Sequence, residues 1–243
     1  MMNKWLTGAL VLPLLGLLTW PMAGFGYEAV SVTNGGTIVG EVTYDGTPPP
    51  PEQSPVTKDE NVCGKEPKVS QALLVGPDKG IENVVVFLPD IQKGKGQEKP
   101  AKDPILDQKQ CEYHPHVQIF PVGSTLDILN DDSVLHNIKT EPGSKTVFNF
   151  AQPKFKKKIE KSFDIPEIIR VECNVHGWMR AVLVVSGNPY YTLTDAHGAF
   201  KLADIPPGTY TLKLWHETLG EQTRDVTVNP NQEVKVALAF KGH

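Results

Sequence analysis

Cys173-Asn174-Val175-His176-Gly177-Trp178-Met179 sets a thiol, an imidazole and a thioether within one seven-residue stretch. Its flanks, residues 170–172 and 180–185, carry Val and Leu and read as two strands joined by a tight loop. Working outward, short runs rich in Val, Ile, Thr, Phe and Tyr recur at 37–44, 83–88, 116–120, 125–129 and 209–215. Proline and glycine, 21 residues each, punctuate them; together they make up about 17% of the chain against a usual total of about 12%. No 3.6-residue apolar period is sustained beyond the N-terminal leader, so the chain is read as all-β, with sandwich domains as the architecture.

One more histidine, His136 in Leu135-His136-Asn137, lies upstream of the loop. Two imidazoles, one thiolate and a long, weak thioether are the donor set of a blue-copper electron-transfer site, which suits Cu(I) and Cu(II) alike. Met179 is the only methionine outside the leader, the others being Met1, Met2 and Met22. Zinc could take the same donors, but structural zinc sites favour more thiolates and a closed tetrahedron. Taken singly, each candidate ligand has an ordinary alternative as a core thiol, a surface imidazole or a packing thioether; their order and spacing together point to a metal.

These residues resemble the cupredoxins, and those of the amicyanin type most closely. Val122-Gly123-Ser124-Thr125-Leu126, continuing through Leu129-Asn130 to His136-Asn137, resembles the strand and turn that bear the family's first histidine. Cys173-x-x-His176-x-x-Met179 has the short amicyanin spacing, where plastocyanins have a longer gap before the methionine. The resemblance covers residues 105–185. It implies an eight-stranded Greek-key sandwich holding one copper, with His136, Cys173 and His176 as equatorial ligands, Met179 as the axial one, and Asn137 tying the two ligand loops together. The sequence departs from the family at Val175 and Gly177, where amicyanin-type loops carry proline. Val175 keeps an N–H that could point at the Cys173 sulfur, which would favour Cu(I), and Gly177 loosens the loop.

Tyr191-Thr-Leu-Thr-Asp195-Ala-His-Gly198-Ala-Phe200-Lys-Leu202, followed by Ile205-Pro-Pro-Gly208-Thr-Tyr210-Thr-Leu212, is a second signature. Residues 195–198 and Pro207-Gly208 read as tight turns between strands. The pattern resembles the carboxypeptidase-regulatory-like domain, a small transthyretin-like sandwich with a carbohydrate-binding-like fold. The early strands of that family match Gly40-Glu41-Val42 and the Val-rich run at 83–88, about a hundred residues too soon. The economical explanation is a cupredoxin domain inserted into the other sandwich. The expected organisation is a signal peptide at 1–26, the first part of the regulatory-like sandwich at 27–104, the cupredoxin at 105–186 and the second part of the sandwich at 187–243. Residues 47–51 and 92–103 read as linkers, and sugar binding by the outer module rests on fold analogy alone.

Lys4, an apolar run over residues 5–20 and small residues at Ala23, Gly24 and Gly26 have the form of a secretory leader. The expected location is periplasmic or secreted, with no membrane span after cleavage. In an oxidising compartment, and with Cys173 held by metal, Cys63 and Cys111 are left to form a disulfide. The net charge of −4 argues against nucleic acid as a partner. Residues 154–161 carry five lysines, read first as the solvent face of an exposed strand and second as a surface for an acidic partner. His114 and His116 form a weaker metal candidate, with a surface or structural role favoured.

No hydrolytic elbow or phosphate loop is present, so an enzyme is not expected. The function expected is a one-electron copper carrier, using the solvent-facing edge of His176 and the neighbouring Trp178 to meet a c-type cytochrome or a periplasmic oxidoreductase. The alternatives are a copper chaperone or storage module, and a surface interaction protein with a non-redox site.

Overall fold

The computed structural model describes residues 26–242, so the expected leader lies outside the described residues apart from Gly26. Two β-sandwiches account for most of the described residues. In the first, a four-stranded sheet runs in the order Lys158–Ser162, Thr125–Asn130, Ile105–Lys109, Glu112–His114. A five-stranded sheet opposes it, in the order Asn149–Gln152, His136–Thr140, Glu167–Glu172, Arg180–Ser186, Val117–Pro121. That is nine strands against the eight implied by the resemblance. Thr125–Asn130 shows the logic of a two-faced strand: Leu126, Ile128 and Asn130 point inward while Thr125, Asp127 and Leu129 are partly exposed. Leu106, Leu126, Ile128, Ile138, Phe148, Phe163, Ile169 and Leu183 fill the space between the sheets.

The second sandwich draws on both ends of the chain. Its four-stranded sheet runs Tyr191–Leu193, Val85–Phe87, Gly208–His216, Gly220–Val228, and its three-stranded sheet runs Ala199–Ile205, Gly36–Asp45, Glu233–Lys241. Val85–Phe87 pairs antiparallel with Lys213–Trp215 on one side and with Tyr191–Leu193 on the other. Gly36–Asp45 runs parallel to Glu233–Lys241 over nine residue pairs. The Asp195 turn is drawn tight by its own carboxylate, which accepts from the amides of His197 and Ala199. Gly198 stands there at φ +74°, and a Cβ would meet the Val42 carbonyl oxygen at 2.1 Å, so the position requires glycine.

Arg180–Ser186 is buried along both faces from Ala181 onward. Ala181, Leu183 and Val185 face the first core, whereas Val182 and Val184 pack with Val85, Phe87, Val117 and Trp215 between the sandwiches. This double burial is why the strand reads as an unbroken Ala-Val-Leu-Val-Val run. The turn after the Gly208–His216 strand reinforces the contact. Glu217 pairs with His116, Arg170 donates to the Glu217 carbonyl, and the Thr218 hydroxyl donates to the Ala72 carbonyl.

Residues 52–72 cross from the second sandwich to the far end of the first. The strap is pinned by a Gln53–Ser54/Lys68–Val69 pairing and carries the short helix Glu60–Cys63. Cys63 is bonded to Cys111, as expected from the sequence.

Candidate metal centre

Strands Glu167–Glu172 and Arg180–Ser186 pair in register up to Glu172↔Arg180, so residues 173–179 are the loop joining two adjacent strands. Its ends are closed by the Cys173 amide donating to the Met179 carbonyl at 3.2 Å and the Met179 amide to the His176 carbonyl at 2.9 Å. His136 opens the next strand, whose Lys139 and Thr140 pair with Glu172 and Val171. Pairing therefore brings the three side chains to one end of the sandwich. One ligand atom from each of His136, Cys173 and His176 lies within 4.8 Å of the other two. The imidazole Nδ1 atoms are 3.0 Å apart, and Cys173 Sγ is 3.9 Å from His176 Nδ1. All three side chains are buried, and so is Met179, which packs in the same apolar cluster as Cys173.

The outer nitrogens are both taken by carboxylates. His136 Nε2 is 2.7 Å from Asp132 Oδ2, and His176 Nε2 is 3.0 Å from Asp59 Oδ2. An imidazole donating Nε2–H to a carboxylate presents the Nδ1 lone pair on its other side. Two such lone pairs facing each other repel unless a proton or a metal cation lies between them, and with the Cys173 sulfur beside them the donor set fits a metal ion.

The same imidazoles favour the thiolate of Cys173, the form that binds a metal. Burial raises the Cys173 pKa, but the side chains of His136 and His176 and the amides of His176 and Val175 outweigh it and bring it down to about 6. Burial lowers His136, yet Asp132 and Cys173 more than reverse this and hold it above its ordinary value. Burial raises Asp132, and its bonds to His136 and to the Cys111 and Gln110 amides carry it lower.

The surrounding bonds include two that the sequence suggested. Asn137 Nδ2 donates to Asn149 Oδ1 and the Phe150 carbonyl, while its Oδ1 accepts from the Asn174 amide at 3.2 Å, linking the two ligand segments. The Val175 amide lies 3.4 Å from Cys173 Sγ. Trp178 is half-buried, its ring centroid 5.2 Å from that of His176 and its indole N–H donating to the Cys111 carbonyl.

One expectation is corrected. His176 has no solvent-facing edge: the residue is fully buried. The Glu60–Cys63 helix and its preceding Asp59 cover the face where the edge would emerge, and the sulfurs of Cys63 and Cys111 lie within 4.8 Å of a His176 ring nitrogen. His114 and His116 also do not form a site. His114 is exposed beside Glu112, whereas His116 is buried against Glu217 and the Arg180 carbonyl.

Asp59 and Asp132 went unrecognised in the sequence. Asp132 carried a signal in its place four residues before His136. It also organises the turn between Ile105–Lys109 and Glu112–His114. Gln110 and Cys111 both adopt positive φ there, 52° and 58°, and both donate their amides to Asp132 at 2.8 Å. Such a two-residue type I′ turn usually takes Asn-Gly, so Asp132 and the disulfide compensate for unfavourable residues. Asp59 carried no signal beyond standing four residues before Cys63.

Residues 179–241 match the family model of the carboxypeptidase regulatory-like domain. The match begins in the ligand loop and includes the Arg180–Ser186 strand, which pairs within the first sandwich. A comparison with curated proteins found no match. Among solved structures the chain is similar to a purple cupredoxin from Nitrosopumilus maritimus, at 26% identity over 35% of this chain and 100% of that one, with a TM-score of 0.31. Amicyanin from Paracoccus versutus is 18% identical over 37% of this chain and 86% of that one, at a TM-score of 0.32. A copper-containing nitrite reductase from Thermus scotoductus is 18% identical over 37% of this chain and 24% of that one, also at 0.32. The chain accordingly carries a carboxypeptidase regulatory-like segment at 179–241 and is similar to cupredoxins over 35–37% of its length.

Proposed function

We propose that this chain is an exported mononuclear copper protein that carries one electron at a time. The observation that carries the reading is the convergence of His136 Nδ1, His176 Nδ1 and Cys173 Sγ in a buried pocket, with both outer imidazole nitrogens held by carboxylates. His136, Cys173 and His176 would hold the ion, with Met179 as a weak fourth donor. Bound there, copper supplies a one-electron Cu(I)/Cu(II) couple.

The residues do the rest by holding still. Strand pairing and the Asn137 bonds fix the loop positions, Asp132 and Asp59 fix each ring's tautomer and orientation, and the apolar cluster keeps water out. The same rigidity keeps reorganisation small when charge changes. The absence of an external His176 edge favours a second reading, a storage or delivery site that holds copper without fast electron exchange.

Adding Cu(II) to the purified chain tests both. An intense thiolate-to-copper absorption with reversible voltammetry, lost in Cys173→Ser, supports the carrier. Tight Cu(I) binding without that absorption supports storage and sinks the carrier. In the periplasm, the partner of such a carrier would be a c-type cytochrome or an oxidoreductase. The outer sandwich serves as the scaffold on which residues 52–72 are carried to the site. Among the described residues no helix is long and apolar enough to cross a membrane.

A further inference from the structure

With the His176 face covered, the other imidazole offers a different way out. His136 pairs with Gln152 across the sheet, so Leu135 and the turn that follows Gln152 emerge together at the metal end of the sandwich. That turn is Pro153-Lys154-Phe155-Lys156-Lys157. Phe155 is 82% exposed and Leu135 44%. Lys154, Lys156 and Lys157 are exposed around them, and none makes an ion pair among the described residues. Lys158, one residue further on, is bound to Asp127 and Glu160 and fits the reading of a charged strand face. The turn does not, because the Phe155 ring held in water beside Lys154 and Lys156, neither of which meets a carboxylate, stabilises nothing in the fold.

A short chain of bonds joins this patch to the site. Lys157 Nζ donates to the carbonyls of Asn130 and Asp132 at 2.8 and 3.0 Å, and Asp132 Oδ2 holds His136 Nε2. The segment that covers His176 presents exposed Asp59 and Glu60, which would repel an acidic partner.

Building on the copper reading above, we propose that an acidic redox protein docks on the Phe155/Leu135 patch, its carboxylates on Lys154, Lys156 and Lys157, and exchanges electrons through the His136 side of the site. One electron passes between the site and a one-electron centre such as a haem iron in the partner; no bond forms or breaks and no proton moves. Charge speeds and orients the encounter, and the apolar ring pair seats it. Lysines beside an exposed Phe also suit an anionic membrane surface, but the bonded link from Lys157 to His136 gives a protein acceptor reason to dock here.

The test is a titration of the ¹⁵N-labelled full chain, with and without copper, with an acidic c-type cytochrome and separately with a basic one. Shifts at Leu135–Asn137 and at 154–158 are expected with the acidic cytochrome only, and they should vanish at high salt. The K154E/K156E variant should slow bimolecular electron exchange at low salt by about tenfold, with an unchanged visible spectrum. F155A should slow it severalfold at any salt. Shifts centred on 59–63 or 174–180, an equal response to the basic cytochrome, no shifts, or wild-type rates in K154E/K156E would each overturn the proposal. So would co-sedimentation with phosphatidylglycerol vesicles, lost in K154E/K156E, without cytochrome shifts. If the patch shifts are present but no thiolate-to-copper absorption is seen, the docking surface stands and the electron-carrier reading falls.

Discussion

His176 Nε2 and Asp59 Oδ2 lie 3.0 Å apart across 117 residues of sequence, and this contact closes the outer side of the candidate metal centre. A carboxylate on the far nitrogen of a ligand imidazole fixes its tautomer and strengthens its donor atom. Asp59→Ala should therefore lower copper affinity by about tenfold or more. Asp59→Asn, which keeps an acceptor oxygen, should lose less. A competition titration with a Cu(I) chelator measures both, and an affinity within twofold of wild type in the alanine variant would remove Asp59 from the site's design.

The Val175 amide reaches the Cys173 sulfur at 3.4 Å, so the thiolate shares part of its electron density with a donor that proline would lack. That bond favours Cu(I). A difference of ~1 kcal/mol between the two oxidation states corresponds to roughly 40 mV for a one-electron couple. Val175→Pro should lower the midpoint potential by about that amount, as read by voltammetry, and an unchanged or raised potential would contradict the assignment.

The Cys63–Cys111 bond spans 48 residues and ties the strap to the turn that Asp132 organises. Closing a loop of that length removes unfolded-state entropy worth roughly 4 kcal/mol at most. Cys63→Ser/Cys111→Ser should lower the urea midpoint accordingly. It should also free Asp59, so its copper affinity should fall at least as far as that of Asp59→Ala. Loss of stability with copper affinity intact would separate the strap from the site.

Much of this was legible because β-structure and metal ligation leave local marks. The ligand loop announced itself through donors spaced within one turn between two strands, and Asn137 and Val175 act through bonds to near neighbours or to the adjacent loop. Val85–Phe87 announced itself through an all-apolar run of the kind buried on both sides. What stayed hidden was long-range. Nothing local tells that residues 52–72 cross to the metal end, so Asp59 could not be assigned and His176 was expected at the surface. The exposed Phe155 was likewise lost among its lysines, since a sequence shows charge but not whether each charge finds a partner.

His216 offers a test of the contact between the sandwiches. It is 2% exposed, and its Nδ1 accepts from the Thr218 and Leu219 amides, which requires that nitrogen to be unprotonated. Burial, with Glu217 opposing and His116 assisting, brings its pKa down to about 4. In the unfolded chain a histidine takes up its proton near pH 6.5. The folded state binds that proton only at lower pH, so stability is full above about 6.5 and declines as pH falls toward 4, by about 3 kcal/mol. Urea midpoints at pH 7 and at about pH 4.5 should show this loss, and His216→Asn, whose amide oxygen can still accept from Thr218, should start lower but lose less. Equal slopes would place the acid sensitivity elsewhere. Because the same turn carries Glu217 against His116 and Thr218 against Ala72, the first acid-induced change should come at the Trp215 contact between the sandwiches, visible in near-UV circular dichroism before the β signal is lost.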